Sequence, residues 1–194
     1  MLAAGVIASY GVIDFNGLLI VGAMAIIPDL PPITAIAVGL VDRRLRLAGR
    51  AFLTLAVGMA FATVAAAGSA FAQNQFDRLP SGFNIDSTVL GSLTTVNDET
   101  IVVALAAGVA GMLALETRAS SGVGVAVSVT TIPAAAYLGV AVGLGERGNA
   151  LGALEVLGTN IAMLVVAASG TLVLQRLLAR RAAAARRRET AAEG

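Results

Sequence analysis

The residues from Ala51 to Ala72 run without a single charge. About 20 apolar residues suffice for a helix to cross the hydrocarbon core of a bilayer, and only there is so long an uncharged run at home. Four further segments repeat the theme. Val156–Leu174 is bounded by Glu155 and Arg176, and Thr100–Leu115 opens with Asn97-Asp98-Glu99, an N-cap followed by two acids in the first turn. Ala119–Gly145 is interrupted by Pro133, and Phe15–Val41 by Pro28-Asp29-Leu30-Pro31-Pro32. Leu2–Ile13 is apolar too, but twelve residues are too few to span alone. The pattern predicts an all-α integral membrane protein of about six transmembrane segments.

Composition closes off most chemistry. Of the residues, 57% are hydrophobic and 13% charged, with a mean hydropathy of +0.86. A chain without cysteine or histidine has no disulfide, no thiolate or imidazole ligand and no imidazole base. Neither an enzyme nor a bound cofactor or metal is expected. The thirteen basic residues are all arginine, and their placement sets the topology. Arg43, Arg44, Arg46 and Arg50 lie in one loop, Arg118 in a short link, and Arg176, Arg180, Arg181 and Arg186–Arg188 in the tail. Alternate crossing places all of these on one side, assigned to the cytoplasm together with both termini. The other side keeps Arg78 and Arg147 and a polar segment, Gln73–Asn97. The tail is expected to meet anionic lipid headgroups as a helix, or to be a solvated extension. No nucleic-acid partner is implied.

The chain also repeats itself. Leu2-Ala3-Ala4-Gly5-Val6 recurs as Leu105-Ala106-Ala107-Gly108-Val109. Ile26-Ile27-Pro28 lies opposite Thr131-Ile132-Pro133, and Ala37–Arg43 opposite Ala141–Arg147, at offsets of 103, 105 and 104. The predicted domains are therefore repeat one at about 1–72, an outer loop at 73–97, repeat two at about 98–175, and an Arg-rich tail at 176–194. Three segments per half is an odd number, so the halves enter from opposite faces: a 3+3 inverted repeat, an architecture common among secondary transporters.

The middle segment of each half contains the prolines, and each is expected to break there. A proline removes an N–H and frees a carbonyl about four residues earlier; at membrane depth such backbone survives only beside protein or water. The expectation is half-helices Gly17–Ile27 and Ile33–Val41 joined by an extended link, or a re-entrant hairpin, with Ala119–Ile132 and Ala134–Leu144 more gently kinked. Asp29 sits at the first break, with Pro28, Pro31, Pro32 and Thr34 around it. It reads either as a proton- or cation-binding carboxylate or as a group wetted at the surface. The second half offers Ser128, Thr130 and Thr131 before Pro133, then Tyr137. Those hydroxyls line a path or bond back to freed carbonyls. Thr159 and Asn160, on the face of Glu155, complete the candidate set; Asn160 is deep enough to need a partner. Gly139-x-x-x-Gly143 and Gly148-x-x-x-Gly152 are suited to close helix packing within a chain or in a homo-oligomer.

Val21-Gly22-Ala23-Met24-Ala25-Ile26-Ile27-Pro28-Asp29-Leu30-Pro31-Pro32-Ile33 resembles the Gly-Ala-Met…Pro…Gly-Pro signature of a prokaryotic membrane family, domain of unknown function 389. Val127–Ala136 and Thr159-Asn160 are similar to its later motifs; where the family has Gly-Pro, this chain has Pro31-Pro32. The resemblance implies a multi-pass protein of the prokaryotic inner membrane. The functional expectation is a transporter or channel-like permease for an ion or small polar solute, with its site between the broken segments. The alternative is a structural or sensory oligomeric module with a partner- or lipid-binding basic tail.

Overall fold

The structure, a computed structural model, describes residues 1–26, 29–80, 83–86, 90–117 and 120–192. Among them are seven α-helices and no strand: α1 (Leu2–Ile13), α2 (Gly17–Ile26), α3 (Leu30–Val41), α4 (Leu45–Gln75), α5 (Asp98–Thr117), α6 (Ser120–Leu144) and α7 (Arg147–Ala192). One turn of 3-10 helix, Gly91–Leu93, precedes α5. Three helices, α4, α6 and α7, are long and apolar enough to cross a membrane, and the pair α2–α3, bent by 56°, makes a fourth span if counted as one.

That tally omits two of the six expected segments: α5, which is not among the helices counted, and α1. Twelve residues rise only about 18 Å, and the Met1 side chain reaches the position of Gly58, midway along α4. α1 therefore runs beside the second half of α4 and does not cross by itself. A second difference concerns proline. α3 begins at Leu30 and not at Ile33, so Pro31 and Pro32 fall inside its first turn, while Ile27 and Pro28 lie outside the described residues. Helix N–H groups have no intrahelical partner there, so proline costs little. Pro133 does not break α6 either: the helix passes through it. At the start of α5 the expectation and the structure agree. The Asn97 side-chain oxygen accepts from the Thr100 amide at 2.8 Å, and Asn16 caps α2 through the Leu18 amide at 3.1 Å.

Two ends of the bundle are defined by contacts distant in sequence. At one, Arg176 of α7 donates to the Asp42 carboxylate just after α3. At the other, the Asn149 amide donates to Asp86 at 2.8 Å, and the rings of Phe15 and Phe83 lie 6.0 Å apart. α4 and α7 thus run in opposite directions between an arginine end and a loop end. Arg118 lies outside the described residues. The Arg-rich tail is helical, the first of its two expected forms, and α7 continues through it as one helix to Ala192.

α6 is the axis of the fold. Two thirds of its span is buried against one third for α4 and α7, so the outer helices carry the lipid-facing surface. Gly139 and Gly143 let α6 approach α4: a Cβ on Gly143 would overlap the Ala67 backbone, and one on Gly139 the Thr63 and Ala66 region. This small-residue stripe is therefore used inside the chain, where backbone contact replaces the missing hydrophobic drive between helices in lipid.

Two outcomes follow from this packing. Gly143→Val should lower the unfolding free energy by about 1–3 kcal/mol or more through overpacking, whereas Gly158→Ala, whose added methyl meets nothing, should be tolerated; thermal unfolding in detergent compares them. The hydrogen bond from Arg176 holds the Asp42 carboxyl below its ordinary value of 3.8. A lowered folded value means a contribution present above that pH and lost as pH falls below it. Midpoints measured from pH 7 to pH 3 should converge for wild type and Asp42→Asn only at the acid end.

Candidate functional site

Asp29 occupies the N-cap position of α3, with φ −76° and ψ −25°. An N-cap carboxylate ordinarily accepts from the amides two and three residues on. Here those residues are Pro31 and Pro32, which have no N–H. The side chain makes no cap hydrogen bond and turns across the bundle, where the Thr131 hydroxyl donates to Oδ2 at 2.9 Å. Ser128, on the same face of α6, also acts on the carboxylate through its hydroxyl. Asp29 is fully buried, and its Oδ1 has no hydrogen-bond partner among the described residues. The cationic influences on it are the positive end of α3 and the α-amino group of Met1.

The partner helix brings its own irregularity. Pro133 leaves the Val129 carbonyl without its usual donor and crowds that turn. Around it, helix carbonyls receive donors from other helices. Asn160 of α7 donates its amide to the Thr130 carbonyl at 2.6 Å, and the Thr63 hydroxyl of α4 approaches the Ala135 carbonyl at 3.3 Å. The Thr130 hydroxyl bonds back to Val127 at 3.1 Å. Since a carbonyl can only accept, it is the NH₂ of Asn160 that faces it. Asn160 Oδ1 then points elsewhere, buried and unpartnered.

The candidate residues separate accordingly. Asp29, Ser128 and Thr131 come together, 102 residues apart in sequence, where the bend of α2–α3 meets α6. Thr130 and Asn160 form a second, adjoining pair. Thr34 bonds back to the Leu30 carbonyl at 2.8 Å and serves the first turn of α3. Pro31 is exposed and Pro32 half-buried, so they shape the backbone and do not line the site. Thr159 is half-buried, and Pro28 lies outside the described residues. Tyr137 faces away: fully buried, it donates to the Ile85 carbonyl at 2.9 Å and ties the loop segment onto α6. Sequence reasoning passed over Ser169 and Gln175, whose buried polar atoms are also without partners among the described residues. Gln175 continues the buried stripe Ala153, Val156, Asn160, Leu164, Ala168 at helical spacing, the one signal that could have singled it out.

Among the described residues no cluster of three acidic side chains is placed to hold a metal. The site is one carboxylate, hydroxyls and an amide oxygen at the centre of an apolar bundle. It defines the molecule as an all-helical protein of membrane type with a buried carboxyl group at a helix bend. The chain belongs to the family described as domain of unknown function (DUF389), which it matches over residues 24–166. No curated protein and no solved structure matches it.

The Asp29–Thr131 pair can be weighed by a mutant cycle. Thr131→Val leaves a buried carboxylate short of its donor and should cost about 1–3 kcal/mol. Removing both partners, in Asp29→Ala with Thr131→Val, should cost less than Thr131→Val alone, read by unfolding in detergent.

Proposed function

We propose that the protein is a transporter or channel-like permease for a cation or proton, with Asp29 as its binding carboxylate between the bent α2–α3 pair and the proline turn of α6. The observation that carries this reading is the fully buried Asp29 with one oxygen unpartnered. An ionisable group at membrane depth is expensive and is retained where it faces a partner or a path. Support comes from α7, where Asn160 and Gln175, on one face of the helix, place polar atoms without partners among the described residues fifteen residues apart, about 22 Å of its length. A polar track of this kind suits passage better than packing.

A 3+3 inverted repeat accords with the contacts. A Cβ on Gly5 would strike the Ala62 backbone, and one on Gly108 the Leu164 backbone. These are the same position of the repeated Leu-Ala-Ala-Gly-Val, each against the long helix of its own half, and α4 and α7 run in opposite directions. With the arginine end assigned to the cytoplasm, the protein sits in the prokaryotic inner membrane with the end of α7 inside, while Met1 lies midway along α4.

The test is flux in liposomes carrying purified protein, screened over protons, alkali cations and small polar solutes. Wild type should move at least one cation, and Asp29→Asn should reduce that rate at least tenfold. Equal rates in both, or no flux of any species by wild type, would overturn the reading.

One observation favours the second reading, an oligomeric module with a lipid-binding tail. α7 runs on past Arg176 with Leu177, Leu178, Arg180 and Arg181 all exposed, a pattern that fits anionic headgroups or another copy. On that reading, deleting residues 180–194 lowers the oligomeric mass in detergent while Asp29→Asn leaves it unchanged.

A further inference from the structure

A crevice of about 320 Å³ opens at the loop end between the 3-10 turn, α5, α6 and α7. Leu93, Val103, Val129 and Val156 give it apolar walls, and Asn97, Glu99, Thr100, Thr130 and Asn160 supply its polar atoms. We infer that this crevice binds a small monovalent cation, with Glu99 at its mouth and the Asn160 side-chain oxygen at its floor. The inference deepens the permease reading by naming a ligand class and an entry point, and it rests on that reading for the role of the site.

The argument is one of donors and acceptors. The Thr100 hydroxyl already donates to Asn97 at 2.6 Å, and the Thr130 hydroxyl to the Val127 carbonyl at 3.1 Å. With their protons committed, both hydroxyls offer lone pairs to a ligand. Asn97 Oδ1 is occupied by the cap of α5. Asn160, 3% exposed, spends its amide on the Thr130 carbonyl and leaves Oδ1 without a partner. A buried acceptor left unmatched costs about 1–3 kcal/mol, and a cation or a donor group carried by one would remove that cost. An anion would meet acceptors almost everywhere.

Charge points the same way. Glu99 is the one ionisable side chain lining the crevice. At this end of the bundle the acids Asp14, Asp77, Asp86, Asp98, Glu99, Glu146 and Glu155 face only the cations Arg78 and Arg147 among the described residues. Such an excess focuses a negative potential on a cleft with low-dielectric walls and concentrates cations there. A single carboxylate with neutral oxygens balances one positive charge, and the volume admits ammonium or an alkali ion retaining part of its water shell. The floor at Thr130 is one residue from Thr131, the donor to Asp29.

The full chain in detergent micelles, titrated with sodium, potassium and ammonium chloride at ionic strength held constant with choline chloride, provides the test. At least one small cation should raise the thermal midpoint saturably over choline. Glu99→Gln, exposed and outside the core, should weaken the apparent affinity by about fivefold. Thr130→Val keeps the shape and should weaken it similarly, while Asp29→Asn should retain the shift. If no salt differs from choline, or if Glu99→Gln and Thr130→Val both titrate like wild type, the inference is overturned. If the shift disappears in Asp29→Asn but persists in the crevice variants, the cation sits at Asp29: the crevice falls and the permease reading stands.

Discussion

In the first turn of α3 two consecutive prolines occupy the positions whose amides would ordinarily receive an N-cap carboxylate. Much of the interior follows from that missing pair of donors. A backbone bend at membrane depth must be covered by protein or water, and the charge placed at this bend cannot be neutralised locally. Asp29 instead reaches α6 and takes the hydroxyl of Thr131. The bend and the carboxylate it carries are thereby fastened to the helix that occupies the centre of the bundle.

α6 can serve as that centre because it is small-sided where it meets α4 and polar where it meets α3 and α7. Gly139 and Gly143 bring the α4 backbone close enough for contact. Around Pro133, where the helix loses the ladder bond to the Val129 carbonyl, Asn160 braces the next residue by donating to the Thr130 carbonyl. Each donor spent on a backbone carbonyl exposes the other face of the group that supplied it. Asn160 holds the proline turn together and by doing so presents an unpartnered oxygen. In this interior a structural bond and a binding capacity are two ends of one amide.

Much of this was legible beforehand, for identifiable reasons. Uncharged runs such as Ala51–Ala72 mark spans because lipid tolerates nothing else, and the Asn97 cap is legible because its chemistry is local. Asp29 stood out as an acid between prolines, and Asn160 as an amide too deep to go without a partner. Tyr137 did not reveal its role: its partner is the Ile85 carbonyl, and a backbone carbonyl carries no signature in sequence. The prolines were partly legible: the first middle segment does bend, by 56° between α2 and α3, but Pro31 and Pro32 lie in the first turn of α3, and Pro133 sits inside a helix braced by its neighbours.

The amino-acid sequence by itself determined the class of fold, the clustering of arginine along the chain and the presence of one acid amid proline, since each depends on solvation and backbone chemistry that act over a few residues. Only the tertiary structure decided which hydroxyl meets that acid, that Tyr137 serves the loop and not the site, that α1 covers only the second half of α4, and that Asn160, Thr130 and Glu99 share a crevice. Those outcomes depend on the angle at which helices separated by a hundred residues cross, and crossing angle is set by the packing of whole faces.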